Sequence, residues 1–284
     1  MNSFRVMVLF LLLTMLFMAV GFALGGRNGM IMAFGIAAVM NFISYWFSDK
    51  IVLKMYRAQE VTEATNRKLW RVVSHASQKA MIPMPKVYVI PTKAPNAFAT
   101  GRNVNHAAVA ATEGLIELLN DSELEGVIGH ELAHIINKDM LVGTMAATIA
   151  GAIGILASMA RWTMIFGGSR DDSRGSNPLV LLVAMIVAPV AAMLIQMAIS
   201  RSREYKADAE GGRITGQYLG LASALEKLHT APVRLNLDER PATAHLFIAN
   251  PLSGKGFATL FSTHPPYEER VKRLQQLAMG GYSA

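Results

Sequence analysis

The sequence predicts a mainly α protein with a small β-sheet, held in a bilayer by four transmembrane helices. Three observations carry this. Of 284 residues, 52% are hydrophobic and only 17% are charged, against roughly 25% charged in an ordinary soluble domain, and the mean hydropathy is +0.32. Four uncharged stretches each reach or nearly reach the ~20 residues a helix needs to cross the hydrocarbon core. Between the second and third lies a region of ordinary soluble character, in which helix and strand patterns follow one another.

The first stretch, Val6 to Leu24, lies between Arg5 and Arg27, and the second, Asn28 to Ser48, lies between Arg27 and Asp49. The first is longer than the ~7–15 apolar residues of a signal peptide. A second span follows it across the tight turn "GGRNG", so residues 1–48 are expected to form an anchored hairpin. Met140 to Ala160 and Gly175 to Ser200 form a second expected hairpin over 140–200, the latter stretch interrupted by Pro189. Both are rich in Ala, Gly and Met, and the competing reading is buried helices of a soluble core.

Lys50, Lys54 and Arg57 follow the second stretch; Arg201, Arg203, Lys206 and Arg213 follow the fourth. The positive-inside rule makes that side the cytoplasm. Residues 49–139 and 201–284, and both termini, are therefore expected there. The formal net charge of +7 is explained by these flanks, and no nucleic-acid partner is needed. Cysteine is absent, so a metal must be held by His, Asp or Glu.

Within 49–139, "TEATNRKLWRVVSHASQKAM" reads as an amphipathic helix ended by "IPMP". "KVYVI" reads as a strand, "NAFATG" as an extended piece, and "HAAVAATEGLIELL" as a second strand and a short helix. "LNDSELEGVIGHELAHIINKD" opens a further helix, with Ser122 and Glu125 spaced as a capping box. Leu124, Val127, Ile128, Leu132, Ile135 and Ile136 give it an apolar body.

That helix carries the chemistry. Residues four apart lie one above the other on a helix, so His130 and His134 can present two imidazoles to one metal ion. Glu131 projects about 100° around from His130, beside the metal rather than on it. Zinc bound there lowers the pKa of water towards ~7 and polarises a peptide carbonyl; Glu131 is placed to take the proton and pass it to a leaving amine. A catalytic zinc needs a third protein ligand and one open position. The extended pattern with a third histidine fails, because Asn137 and Met140 stand where Gly and His are required. The remaining candidates lie in "SRSREYKADAEG", where Glu204 and Asp208 share the four-residue spacing. One can bind metal while the other hydrogen-bonds a ligand histidine. The apolar stretches between the two motifs would bring them together at one membrane face.

"GHELAHIINKD", "SREYKADAEG", "PNAFATGR" and "FSTHPPYEERVKRL" resemble the HtpX family of membrane zinc metallopeptidases. The resemblance covers nearly the whole chain. It implies a gluzincin-type fold with one zinc per chain, held by His130, His134 and Glu204, with Glu131 as the catalytic base. Asp208 is then left to orient a ligand histidine. It also implies that Asn96 and His264 lie near the metal as oxyanion donors, and that "PNAFATG" is an edge strand along which substrate pairs. The implied role is endoproteolysis of misfolded or damaged membrane proteins and other unfolded polypeptides in a bacterial inner membrane. The expected partners are thus polypeptide substrates and the lipid bilayer.

Two other readings compete. A non-enzymatic membrane scaffold with a structural metal site would need a fourth protein ligand and would leave Glu131 without a role. A protease with its zinc inside the bilayer conflicts with Glu123, Glu125, Lys138 and Asp139 around the motif, since charges are costly at the bilayer centre. His75, His106, His229 and His245 have no partner at ligand spacing and read as surface or packing residues. The stretch from Thr230 to Gly256 suggests no role.

Overall fold

A computed structural model describes residues 2–140, 201–231 and 265–280. The predicted third and fourth spans lie outside these residues apart from Met140, as does the stretch 232–264.

Helix α1 (Asn2–Met55) is a helical run of 54 residues. A straight helix of that length would extend ~80 Å and put residues 27 apart ~40 Å from one another. Yet Asn41 Nδ2 donates to Thr14 Oγ1 at 3.0 Å, and the rings of Phe10 and Tyr45 lie 6.5 Å apart. The run therefore folds back on itself. It reverses at Gly26, whose φ is +57°, a left-handed conformation open to a residue without Cβ. The run is thus a helical hairpin. Its second arm, Gly26–Phe47, is 22 residues long and apolar enough to cross a membrane; the apolar run of the first arm is the shorter Phe10–Ala19. Among the described residues, one segment meets the length and composition of a span.

Four strands form a mixed sheet: β1 (Gln59–Glu60), β2 (Lys86–Ile90), β3 (Ala97–Gly101) and β4 (Ala107–Thr112), in the order β1-β2-β4-β3. β2 and β4 run parallel, and the outer pairings are antiparallel. Side chains alternate between the two faces of a strand, and here both faces are covered. Val87, Ala97, Ala99, Val109 and Ala111 enter the main core. Ile90, Phe98, Ala108 and Ala110 pack instead with Val52 and Leu53 at the end of α1. The end of α1 is thereby seated on the sheet.

The remaining helices are α2 (Arg67–Lys79), α3 (Glu113–Leu118), α4 (Asp121–Asn137), α5 (Arg201–Thr215), α6 (Tyr218–Thr230) and α7 (Tyr267–Ala278). The helix expected from Thr62 onwards begins at Arg67, because the Asn66 side chain caps it by accepting the Leu69 N–H at 3.1 Å. α4 is central and packs against α2, α5, α6 and the sheet. Leu124, Val127, Ile128, Leu132 and Ile135 are all fully buried along it. α4 and α5 approach closely at glycines. A Cβ on Gly211 would stand 2.5 Å from the His130 backbone N, and one on Gly129 would stand 2.8 Å from the Gly211 carbonyl O.

Candidate active site

Helix α4 is capped two residues before the expected position, at Asn120 rather than Ser122. Asn120 Oδ1 accepts the Glu123 N–H and Glu123 Oε2 accepts the Asn120 N–H, each at 2.9 Å. The reciprocal box is therefore Asn120–Glu123 rather than Ser122–Glu125. Both pairs have the required spacing, but Asn120 has the extended backbone of a cap. Ser122 falls inside the first turn, and Glu125 turns away to His75 and Lys79 at 3.0 and 2.9 Å. At the other end Lys138 adopts a left-handed conformation, φ +57°. Beyond it, Asp139 Oδ2 lies 3.3 Å from His134 Nδ1.

One helical turn apart, His130 Nε2 and His134 Nε2 stand 3.2 Å from each other. Glu204, in the first turn of α5, puts its two carboxylate oxygens 3.6 Å from these two nitrogens, one on each. Ligand atoms of all three residues lie within 4.8 Å of one another. A tetrahedral zinc with ligands at 2.0–2.1 Å needs neighbouring donors about 3.3 Å apart. Two neutral imidazoles and a carboxylate are also donors that zinc accepts, so these residues fit the ion.

The far side of each imidazole is held as well. Asp208 Oδ1 lies 2.9 Å from His130 Nδ1, and Asp139 does the same for His134. Asp208 in turn accepts two bonds from Arg270 on α7, Nε to Oδ2 at 2.8 Å and Nη2 to Oδ1 at 2.7 Å. Arg270 is only 2% exposed, and its Nη1 reaches within 4.0 Å of Glu204 Oε2. Burial alone would raise the Asp208 pKa, but the Arg270 charge and hydrogen bonds hold it below the usual carboxylate range. Burial opposes the charged form of His130, yet its hydrogen bonds to the Asp208 and Glu204 carboxylates outweigh it and push its pKa up to about 9.

Glu131 faces the sheet. Its Oε2 accepts the Ala99 N–H of β3 at 2.8 Å, and burial pushes its pKa up. β3 is an edge strand, paired on one side with β4. Pairing alternates along an antiparallel strand; the Asn96 carbonyl accepts the Thr112 N–H and the Asn96 N–H donates to Thr112 Oγ1, both towards β4, so Ala97, Ala99 and Gly101 turn their backbone groups to the open side. All five β3 residues are buried. Asn96 is buried just before the strand; His264 lies outside the described residues.

The structure thus brings together His130, His134, Glu204, Asp208 and Glu131. Two residues that hold the site were not singled out in the sequence. Arg270 shares a helical stripe with Tyr267, Val271 and Leu274 of α7, and a charged residue on an apolar stripe is the readable signal. Asp139 carried none beyond its place after the helix. Of the other histidines, His106 Nδ1 lies 2.9 Å from Asn103 Oδ1 and His229 stacks on Tyr267 at 3.8 Å.

The profile of peptidase family M48 matches residues 63–278. The chain belongs to peptidase family M48. The match takes in α4, α5 and α7, hence every residue placed in the site above. A "Protease HtpX homolog" of Desulforapulum autotrophicum is 55% identical over 276 residues, covering 96% of this chain and 89% of that relative. One from Pyrococcus furiosus is 52% identical over 276 residues, covering 97% and 96%. The HtpX resemblance carried by the motifs therefore extends along the chain, and this M48 protein is a membrane metalloprotease. The crystal structure of S. mikatae Ste24p shares the fold, with a TM-score of 0.52 at 16% identity; the alignment covers 96% of this M48 chain and 62% of the Ste24p chain.

Proposed function

We propose that this M48 protease is a zinc endopeptidase of a bacterial inner membrane, with its active site on the cytoplasmic side, acting on misfolded or damaged membrane proteins. The observation that carries this is the convergence of His130, His134 and Glu204 with Glu131 beside them. His130, His134 and Glu204 would hold one zinc ion, which supplies Lewis acidity towards a peptide carbonyl and water. Glu131 is the proton carrier. A buried carboxylate with a raised pKa can take a proton from water and return it to the departing amine. The Ala99 N–H fixes one of its oxygens and leaves the other for that transfer.

Substrate would lie along β3, where the outward backbone groups of Ala97 and the Ala99 carbonyl, its N–H being held by Glu131, offer main-chain pairing with little demand on sequence. Glu131 is bonded to that same strand, so a peptide aligned on β3 is aligned on the base. By resemblance, Asn96 and His264 donate to the oxyanion. The scaffold reading is less favoured, because a closed metal site needs a fourth donor and among the described residues three converge. The test is to purify the protein in detergent, measure zinc, and assay casein cleavage with and without chelator. Zinc near one per chain with chelator-sensitive cleavage is expected; bound zinc with no cleavage under any condition supports the scaffold.

A further inference from the structure

The end of α1 carries an arrangement that the peptidase reaction does not use. Phe42, Tyr45, Trp46 and Phe47 gather at the close of the apolar span Gly26–Phe47, with Trp46 and Phe47 exposed. Aromatic residues at the end of a span mark the bilayer–water interface. One turn further on, Lys50 follows Trp46 at helical spacing, and its Nζ lies 5.6 Å from the Phe47 ring. A second cation comes from elsewhere in the chain. Arg102, in the loop between β3 and β4, places its guanidinium carbon over the Trp46 ring, 4.5 Å from the ring centre. Among the described residues neither Arg102 nor Lys50 makes an ion pair or hydrogen bond through its charged head.

Stacking occupies the flat face of a guanidinium and leaves its N–H donors free in the plane, where their fork matches a phosphate. We propose that Arg102 and Lys50, set around Trp46, bind the phosphodiester of an anionic phospholipid. The occupant is a lipid rather than a soluble anion because the site is built on the aromatic end of the span. The proposal rests on the reading of Gly26–Phe47 as membrane-crossing. It adds a link between lipid and catalytic base. Arg102 follows β3 directly, and Ala99, which holds Glu131, is three residues back, at most ~10 Å along an extended strand. The bound headgroup would fix that strand's height above the hydrocarbon.

The experiment uses the full chain in phosphatidylcholine vesicles containing trace spin-labelled phosphatidylglycerol or phosphatidylcholine. The fraction of motionally restricted label gives relative association. Wild type should favour phosphatidylglycerol several-fold, and R102Q and K50Q should each lose roughly five-fold at most, the effect of one cation near a charged surface. R102K, which keeps charge but not the stacked fork, should recover part of the loss. Lys50 is exposed, so K50Q reports even if R102Q disturbs the loop. Equal association of both lipids with wild type overturns the proposal, as does a double variant with wild-type preference. Release of the protein from vesicles by alkaline carbonate would overturn the membrane reading itself, and the lipid site with it.

Discussion

At the scale of single residues, the site separates atoms that would hold a metal, on His130, His134 and Glu204, from atoms that hold those residues in place. Glu131 belongs to neither group, since its carboxylate is bonded to β3. Glu131→Gln should keep zinc and lose cleavage by at least ~10²–10⁴, the usual worth of a positioned acid–base group. Metal content and casein turnover on the same sample check it; loss of zinc would show that Glu131 is a ligand. Arg270 makes a different case. Removing it strands the Asp208 carboxylate in the interior, and breaking one side of a buried pair typically costs about 3–5 kcal/mol. Arg270→Met should lower the thermal midpoint sharply, and adding Asp208→Asn should recover part of it by removing the stranded charge. If the double variant is no more stable than the single one, the pair is not what Arg270 contributes. The His pair and Glu131 were legible from spacing alone, because helical geometry fixes which residues share a face. Asp139 was not. It acts from beyond the helix, across a left-handed Lys138 that residue type does not announce.

At the scale of elements, the proposed third ligand, Glu204, depends on how near α5 can come to α4. Gly211→Ala would press a methyl group against the His130 backbone N, 2.5 Å away. Overpacking of this kind typically costs about 1–3 kcal/mol, and here it should push Glu204 and Asp208 away from the histidines together. Reduced zinc affinity with α-helical content retained is the expected outcome; unchanged affinity would mean that the helices separate without opening the site. The start of α4 is pinned by Glu123, which accepts from Lys227 and Ser223 of α6 as well as from its own cap. Burial would raise its pKa, but these bonds outweigh it and hold the group low. A depressed carboxylate contributes stability that is present above its ordinary value near 4.5 and lost as pH falls through the folded value. The urea midpoint of wild type should therefore exceed that of Glu123→Gln at pH 7, and the gap should shrink below pH 4.5. A gap independent of pH would assign the effect to packing. The capping motif was legible, but its register was not, since two Asx/Ser–Glu pairs overlapped and only the backbone at Asn120 decided between them.

At the scale of the whole molecule, the sheet mediates between membrane and chemistry. One face takes the end of α1 and the other takes α4, so the span and the site are fixed to the same strands. Hydropathy made the first hairpin and its turn legible, and alternation made the strands legible. The partner of each sheet face was not, because small residues such as Ala97 and Ala108 suit either side. Orientation can be tested directly. Glu60 is exposed and the chain has no cysteine, so a single Glu60→Cys gives one reactive thiol. An impermeant reagent should miss it in intact cells and reach it after lysis; labelling in intact cells would put the active site on the outer side.

The wide spacing of the site along the chain also sets a clock. Glu204 follows His134 by 70 positions, and Arg270 follows Glu204 by 66. At synthesis rates of ~5–20 residues per second, each interval lasts on the order of 3–14 s. During synthesis the helix with its two histidines exists first without a carboxylate to complete the metal site, and then without the guanidinium that anchors Asp208. On the proposed function, the newborn chain would therefore spend seconds unable to cut anything, itself and its neighbours at the insertion site included.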